Sequence, residues 1–406
     1  MDIIGVTFNG GVTVSTSTTV GKLYAWGYNG IYGQLGLGDL VSRSEPTQVG
    51  SGAWTQVASG KNGQSLFSGA VANDGTLWTW GNNASGALGQ GSYSGNNCSS
   101  PVQVGTLATW SKISMGNNCG FAIKTNGTLW AWGGGANGQL GLNNQSDYAS
   151  PKQVGTQTNW AQIEGTAGRS TFAVKADGTL WSWGNNFNGQ LGQNTAGSLA
   201  QRSSPVQVGS LNNWSQVAAC DGQGAMAVKT DGTLWGWGRN TQGQLAQGDL
   251  INRSSPVQIG LQTNWDKVAV STQDTMVTAA IKTDGTLWTW GPGSNMLGQG
   301  AGVGVLTSPV QVGAQNNWAQ ICCGRYHMLA VKTDGTLWAW GSNSNGQLGT
   351  NSLVTTNSPV QVGVLTEWQS ADRGSLAAGW GESFAITKIT GVYVYPVQLT
   401  QVTGTP

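Results

Sequence analysis

Asp231-Gly-Thr-Leu-Trp-Gly-Trp-Gly238 decides the fold, because it belongs to a pattern that recurs along the chain. Its Leu-Trp-x-Trp-Gly motif is found six times, with the second tryptophan at Trp80, Trp132, Trp183, Trp237, Trp290 and Trp340. A Tyr-Ala-Trp-Gly version contains Trp26. Counted from Trp26, the spacings are 54, 52, 51, 54, 53 and 50 residues, which is typical of propeller or solenoid units. The sequence therefore predicts a seven-fold repeat.

Two further registers repeat in step with this motif. A second tryptophan register comprises Trp54, Trp110, Trp160, Trp214, Trp265, Trp318 and Trp368. A proline register comprises Pro46, Pro101, Pro151, Pro205, Pro256, Pro309 and Pro359. Of the 21 tryptophans, only Trp380 lies outside the pattern.

Each repeat has the composition of short β-strands. Runs of three to six residues rich in Val, Ile, Trp and Thr alternate with Gly, Asn, Asp or Pro, and nowhere is there sustained helical spacing. Asp-Gly between two runs predicts a hairpin with a type I′ turn, which needs positive φ at both central residues. These pairs begin at Asp74, Asp177, Asp231, Asp284 and Asp334, with Asn126-Gly127 as a sixth copy. The chain is therefore expected to be all-β.

The two chain ends favour a closed ring over an open β-solenoid. The first repeat begins at its last strand, Lys22–Gly27, whereas the last repeat has Trp368 and Phe384–Ile386 but no Leu-Trp-x-Trp. Each end thus supplies what the other lacks. We expect a seven-bladed β-propeller with four short antiparallel strands per blade, closed by N- and C-terminal strands in one blade. The predicted divisions are an N-terminal β-rich arm (1–21), the propeller (22–388) and a C-terminal β-rich tail (389–406).

The tail carries an additional strand-like segment. Tyr395–Leu399 echoes the Ser-Pro-Val-Gln-Val strand that the repeat reading places at the opening of each blade. An extra strand pairs either with its own propeller or with a neighbouring molecule. We favour an assembly arm formed with Val6–Val20, with an intramolecular clasp as the alternative.

The repeat resembles the regulator of chromosome condensation repeat family. The resemblance rests on the order Trp-Gly-x-Asn-x-x-Gly-Gln-Leu-Gly, Pro-x-x-Val, Trp-x-x-Val and Ala-Val-Lys-x-Asp-Gly, and it spans about residues 22 to 388. It implies a seven-bladed propeller whose last blade is completed by the N-terminus. Eukaryotic members exchange nucleotide on the Ran GTPase and sit on chromatin, and their repeats carry a Gly-x-x-His step. Only Gly324–His327 keeps that step here. The motif Asp-Gly-Thr-Leu-Trp-x-Trp-Gly resembles the copies found in bacterial and phage proteins.

Composition restricts the partners. Charged residues make up 9% of the chain, against about 25% in typical soluble proteins, and the formal net charge is +1. Five lysines occupy one repeated position, so their charge is spread around the ring and forms no local patch for phosphates: Lys124, Lys175, Lys229, Lys282 and Lys332. No apolar run approaches 18 residues. We therefore expect neither a nucleic-acid partner nor membrane insertion.

The residues that carry chemistry form no catalytic constellation. The single histidine, His327, lies near Cys322 and Cys323 in sequence, but it occupies the structural Gly-x-x-His step. The five cysteines show no metal-ligand spacing and are expected to be reduced and buried. Gly33-Gln-Leu-Gly36 lacks the following helix that a phosphate cradle needs. No catalytic, cofactor or metal site is predicted.

Aromatic residues outside the repeat are the candidate partner contacts, because packing within the repeat does not account for them. They are Tyr28, Tyr32, Tyr148, Phe187 and Trp380. The repeated tryptophans, by contrast, are expected to pack between blades.

Two functional interpretations remain open. The first is a non-enzymatic bacteriophage virion protein, associated with tail or capsid, that presents polar loops to other structural proteins or to a cell-surface glycan. The second is a cytoplasmic protein-binding regulator, such as a guanine-nucleotide exchange factor for a small GTPase. The low charge, the polar surface and the phage-like repeats favour the first, with the virion as its location.

Overall fold

The computed structural model describes residues 21–388 except 62, 64, 65, 94, 198–199, 221–223, 273–275 and 371–372, together with strands β1 (Thr7–Phe8) and β2 (Val12–Thr13). Strands β1 and β2 pair with each other. The remaining strands form seven four-stranded antiparallel sheets. Each sheet is one blade of a β-propeller, which confirms the predicted fold class. We number the blades 1 to 7 from the sheet that begins at Trp54.

Each blade runs from an innermost strand at the central channel to an outermost strand at the rim. The innermost strands, in blade order, are β5 (Trp54–Ser59), β9 (Trp110–Met115), β13 (Trp160–Gly165), β17 (Trp214–Ala219), β21 (Trp265–Val270), β25 (Trp318–Cys323) and β29 (Leu376–Ala378). The second strands are β6 (Phe67–Ala72), β10 (Cys119–Lys124), β14 (Ser170–Lys175), β18 (Gly224–Lys229), β22 (Thr278–Lys282), β26 (His327–Lys332) and β30 (Glu382–Ile386).

The third and fourth strands complete each blade. The third strands are β7 (Leu77–Gly81), β11 (Leu129–Gly133), β15 (Leu180–Gly184), β19 (Leu234–Gly238), β23 (Leu287–Gly291), β27 (Leu337–Gly341) and β3 (Leu23–Gly27). The outermost strands are β8 (Cys98–Gln103), β12 (Tyr148–Gln153), β16 (Arg202–Gln207), β20 (Arg253–Gln258), β24 (Leu306–Gln311), β28 (Thr356–Gln361) and β4 (Arg43–Gln48). Short 3-10 turns occur at Ala84–Gly86, Asn295–Leu297 and Arg373–Ser375.

Blade 7 closes the ring with strands from both ends of the chain. Strand β3 pairs with β30 from Leu23↔Ile386 to Gly27↔Glu382, and β4 pairs with the other side of β3. An isolated bridge joins Trp368 to Thr387 beside them. The predicted closure by the strand within Lys22–Gly27 is therefore confirmed.

The Asp-Gly hairpins use a different turn from the one predicted. In blade 1, Gly75 has a φ of +80°, whereas Asp74 is not among the residues with positive φ. The Gly75 N–H donates to Ala72 O, and the Ala72 N–H donates to Thr76 O. This is a type I turn followed by a glycine bulge, so the type I′ prediction was wrong. Asp74 contributes through its side chain, since Oδ1 accepts from the Thr76 N–H and hydroxyl.

The proline strand closes a blade and does not open one. Pro101 lies in β8, which pairs only with β7. An edge strand is where proline is tolerated, because the missing N–H then faces no partner. The repeat boundary read from the sequence was therefore shifted by one strand.

The core is a series of interfaces between blades, each centred on the second tryptophan of the motif. Trp80 is fully buried, packs edge-on against Phe384 of blade 7, and donates its indole N–H to Gln34 O at 2.8 Å. Trp183 likewise donates its indole N–H to Gln139 O of the preceding blade. This confirms the prediction of packing between blades for the second tryptophan of the motif. The first tryptophan departs from it, because Trp78 is partly exposed and lies edge to face against Trp54 of its own blade.

Candidate functional site

Strand direction gives the two faces of the ring different loops. The loops between first and second strands and the long loops after Trp-Gly lie on one face, here called the loop face. The Asp-Gly hairpins and the links between blades lie on the other, the turn face. Gly21 and Lys388, where the described propeller begins and ends, are on the turn face because β3 begins there and β30 ends there. Loops on a rigid scaffold are where binding residues concentrate.

The innermost strands enclose a central channel with a cavity of about 170 Å³. Its wall is mostly small and aliphatic. At the loop-face end, Lys61 of blade 1 forms an ion pair with Glu164 of blade 3. Gln162 donates its side-chain amide to Val217 O at 2.7 Å and accepts from the Val217 N–H at 3.1 Å, which satisfies the free edge of the neighbouring inner strand.

The repeated lysines lie between aromatic rings on the turn face. Lys175 Nζ is 3.8 Å from the ring centroid of Trp181 and 4.8 Å from that of Trp160. Partial burial lowers the pKa of Lys175, and the nearby Asp177 carboxylate opposes that shift. The same pair of contacts recurs at Lys124, Lys229, Lys282 and Lys332. Each charge is held by its own blade, so these residues form no basic patch.

His327 is a fully buried link between blades 6 and 7. Its Nε2 is 2.7 Å from Ser383 Oγ. The Ser383 hydroxyl donates its one proton to Gln347 O at 2.7 Å, so Ser383 Oγ accepts from a His327 Nε2–H. Burial lowers the pKa of His327 to about 3. This geometry supports the structural interpretation of the Gly-x-x-His step.

Glu382 takes the place of that histidine in blade 7 and links blades 7 and 1. Its Oε1 accepts from Ser59 Oγ at 2.6 Å, and Oε2 accepts from the Gly381 N–H at 3.0 Å. The side chain is fully buried, and burial raises its pKa. A carboxyl group that is easily protonated at this position is therefore part of the interface between the two blades.

The two buried cysteines Cys119 and Cys323 are poor nucleophiles in this environment. Burial raises the pKa of the Cys119 thiol to about 12 and that of Cys323 well above its usual range, and reactive cysteines need the opposite shift. Among the described residues no group of three or more His, Cys, Asp or Glu side chains is arranged to hold a metal ion. In the same part of the chain, no helix is long and apolar enough to cross a membrane.

All five predicted contact residues map to the loop face, and two of them meet. Tyr28 and Trp380 stack edge to face with ring centroids 5.4 Å apart. Tyr32 lies further along the loop of Tyr28 and is partly buried. Phe187 is 65% exposed in the loop after β15. The Tyr148 hydroxyl accepts from Asn144 Nδ2 at 3.0 Å at the start of β12.

Arg325 lies beside Trp380 and next to the ring of Tyr326, and neither residue was among the candidates predicted from the sequence. The guanidinium of Arg325 lies 5.2 Å from the Tyr326 ring centroid. A Cβ on Gly63 of blade 1 would stand 2.9 Å from the Trp380 indole and 3.4 Å from Arg325 Nη1. The signal was present in Gly324-Arg-Tyr-His327, since no other described copy of this step has an arginine next to a tyrosine. We call Tyr28, Arg325, Tyr326 and Trp380 the mouth cluster.

The fold defines the class of the protein as a closed seven-bladed propeller with long loops on one face. Models of the regulator of chromosome condensation (RCC1) repeat match residues 20–63, 74–123, 126–171, 177–227, 231–277, 318–347 and 334–385. The chain therefore belongs to the regulator of chromosome condensation (RCC1) repeat family.

The chain is similar in sequence to several named proteins. The chain is 30% identical to the ultraviolet-B receptor UVR8 of Arabidopsis thaliana over 306 residues, covering 74% of this chain and 68% of the receptor. It is 28% identical to the E3 ubiquitin-protein ligase HERC2 of Homo sapiens over 331 residues, covering 78% of this chain and 7% of the ligase. The chain thus corresponds to most of the receptor but to a small part of the ligase.

Solved structures share the fold. Human WBSCR16 has a TM-score of 0.77 at 20% identity, covering 91% of this chain and all of that one. Prp20p of Saccharomyces cerevisiae, whose structure was reported together with its binding to Gsp1p and histones, has a TM-score of 0.77 at 19% identity, covering 92% and 93%.

These relatives correct two of the expectations drawn from the sequence. The relatives named here come from a plant, mammals and yeast, so the bacterial or phage-type variant has no support. The interpretation as a bacteriophage virion protein was wrong, and so was the virion as its location. The low content of charged residues, on which the first interpretation was based, therefore does not indicate a virion protein.

Proposed function

We propose that this chain is a non-enzymatic, protein-binding regulator that captures its partner on the loop face. One observation carries the proposal: the only tryptophan outside the repeat, Trp380, lies on that face in contact with Tyr28 and beside Arg325. Trp, Tyr and Arg are the residues most enriched among those that dominate binding energy at protein interfaces. Trp, Tyr and Arg side chains occur together here at positions that the repeat does not explain, and this favours a partner-contact site.

The mouth cluster stands on loops that are fixed to one another. The Arg325 N–H donates to Gly379 O at 2.9 Å, and the Tyr28 N–H donates to Gly381 O at 2.8 Å. These bonds join blade 6 to blade 7 and the two halves of blade 7. Preorganised loops lower the ordering entropy that binding would otherwise cost.

Charge favours a partner with carboxylates. Ion pairs of the described residues include Asp39–Arg43, Lys61–Glu164, Asp249–Arg253 and Asp266–Lys267. Arg169 and Arg325 take part in none of these four, so both present positive charge beside the channel mouth. An acidic protein surface with an apolar residue for Trp380 is the matching chemistry.

A small GTPase is the first partner to test. The resemblance noted in the sequence implies nucleotide exchange on such a protein, and Prp20p, of the same fold, is reported to bind Gsp1p and histones. The five lysines held between tryptophan rings argue against a nucleic-acid partner, because they are not available to phosphates.

The experiment compares wild type with Trp380→Ala and Arg325→Ala, using Phe187→Ala as the matched control. Phe187 is exposed on the same face but belongs to blade 3. Binding to purified small GTPases is measured by surface plasmon resonance, and GDP release by loss of a fluorescent nucleotide. We expect each mouth-cluster variant to weaken binding at least about tenfold, the effect of losing a hot spot, and the control to bind normally.

A protein partner recovered by cross-linking from a eukaryotic extract extends the test beyond GTPases. Binding of this partner must also be weakened by Trp380→Ala and Arg325→Ala and left unchanged by Phe187→Ala. Equal binding by wild type, Trp380→Ala and Arg325→Ala would show that the loop-face cluster is not the contact site. Turnover of a substrate by the purified chain would contradict its non-enzymatic character.

A further inference from the structure

Five blades contain the same cation site, in which a lysine lies between two tryptophan rings. The lysine is the last residue of the second strand, and its Nζ is 3.7–3.8 Å from the outer ring centroid and 4.8–4.9 Å from the inner one. In blades 3 to 6 the aspartate of the Asp-Gly turn acts electrostatically on this lysine. These occupied copies show which geometry accepts an alkylammonium group in this protein.

Blade 1 keeps the framework of the site but lacks its cation. The rings of Trp54 and Trp78 are 6.1 Å apart at 82°, as Trp110 and Trp130 of blade 2 are at 6.0 Å and 81°. Ala72 stands in the place of the lysine, since it pairs with Trp54.

The turn that orders this framework is also intact in blade 1. The Trp78 indole N–H donates to Thr76 Oγ1 at 2.7 Å, and Asp74 Oδ1 accepts from the Thr76 hydroxyl at 2.6 Å. Both rings and the turn carboxylate are therefore held as they are in the occupied blades.

The described chain puts no other cation into this cleft. The cation–π contacts of the residues that the structure describes are those of the five repeated lysines, Lys152 with Tyr148, and Arg325 with Tyr326. Segments 1–20 and 389–406 contain neither lysine nor arginine. Trp78 is partly exposed, so the cleft can be reached from solvent.

We propose that Trp54, Trp78 and Asp74 form a binding site for an alkylammonium group, as carried by a lysine of another protein or by a free amine. The faces of two tryptophan rings attract a cation through their negative quadrupole. The carboxylate of Asp74 adds a direct electrostatic attraction and discriminates against neutral ligands of the same shape. The site is on the turn face and is independent of the mouth cluster on the loop face.

The simplest probe is n-butylammonium, which reproduces the lysine side chain, with n-butanol as its neutral counterpart. Binding is followed on the full chain by the NMR signal of the Trp78 indole N–H, in protein labelled at tryptophan. We expect a saturable shift with n-butylammonium and none with n-butanol.

Three variants separate the site from unspecific effects. Ala72→Lys supplies the missing side chain and is expected to abolish binding. Asp74→Asn removes the carboxylate but keeps the turn, because Asn126 stands at this position in blade 2 and accepts the same bonds from Thr128. It is expected to weaken binding at least about threefold, in line with the loss of one partly screened charge. Ala72→Met fills the cleft without a charge, and its melting temperature is expected to be lower than that of Ala72→Lys.

A lysine-containing peptide, compared with the same peptide acetylated on the lysine, identifies the source of the ammonium. Tighter binding of the unmodified peptide than of n-butylammonium assigns the site to a protein partner, and equal affinity assigns it to free amines. The proposal is overturned if n-butylammonium produces no saturable shift at Trp78, or if the shift persists unchanged in Ala72→Lys. Circular dichroism of each variant confirms that the fold is intact.

Discussion

Acidification should destabilise this protein through one buried imidazole, and His327→Gln should remove that sensitivity. His327 is fully buried between blades 6 and 7, and its Nε2–H donates to Ser383 Oγ. The side-chain amide of glutamine offers a donor at a similar distance from the backbone and does not titrate. The substitution therefore tests protonation while it keeps a hydrogen-bond donor at the interface.

The magnitude follows from the difference in pKa between the folded and unfolded states. Burial lowers the folded-state pKa from 6.5 to about 3. Because the folded state binds the proton less readily, its contribution to stability is fully present above about pH 6.5 and is lost as the pH falls toward the folded pKa. The loss is about 2 kcal/mol at about pH 5 and about 4 kcal/mol near about pH 3.

The assay is urea denaturation of both proteins at about pH 7.5 and about pH 5. Wild type should lose about 2 kcal/mol more unfolding free energy than His327→Gln between the two conditions. Since the chain has one histidine, its imidazole nitrogens can also be followed by NMR without ambiguity. They should show a neutral ring protonated on Nε2 throughout this range.

Two results would refute this reasoning. One is a pH dependence of unfolding that is the same in wild type and in His327→Gln. The other is an imidazole that titrates near pH 6.5 in the folded protein, since the ring would then be hydrated and not held by Ser383.

Three further predictions follow from blade 7 and the chain ends. Glu382→Gln should have the opposite pH effect, because burial raises the pKa of Glu382 and its stabilising contribution is lost as the pH rises. In urea denaturation, the unfolding free energy of the variant relative to that of wild type should increase from acidic to neutral pH. A difference that stays constant with pH would contradict this. Deletion of residues 1–27 removes β3 from between β30 and β4 and should lower the melting temperature strongly, so an unchanged melt would contradict ring closure. Truncation after Lys388 tests the predicted assembly arm, whose C-terminal segment lies outside the described part of the chain and of whose N-terminal segment only β1 and β2 are described. Light scattering should report a smaller assembly, while lower stability at unchanged mass would favour the clasp.

The fold was predictable because the same local sequence pattern occurs in each of the seven repeats. The spacing of Trp80 and its equivalents gives the number of blades, and the incomplete units at both ends give the closure. Two details were predicted wrongly: the strand at which each blade begins, and the turn type of the Asp-Gly hairpins. The turn was misread because Asp74 acts through its carboxylate on Thr76 and not through a left-handed backbone.

The candidate site was only partly predictable, because its members meet through ring closure. Tyr28 and Trp380 stood out as aromatic residues outside the repeat, but no sequence pattern shows that they are in contact. Arg325 joins them from blade 6, since its N–H is bound to Gly379 of blade 7. Such proximity is a property of the closed ring and not of any single repeat.

A repeat protein provides its own internal control, so departures from the repeat are the most informative residues in it. Where several blades agree on a lysine between two tryptophans, Ala72 in an otherwise intact blade marks a vacancy that packing does not require. Where the family step calls for histidine, His327 and Glu382 place groups with opposite pKa shifts on successive blade interfaces. Because the shared framework is constant, each departure changes one interaction at a time. Restoring the repeat residue by mutation therefore isolates the contribution of that position better than alanine would.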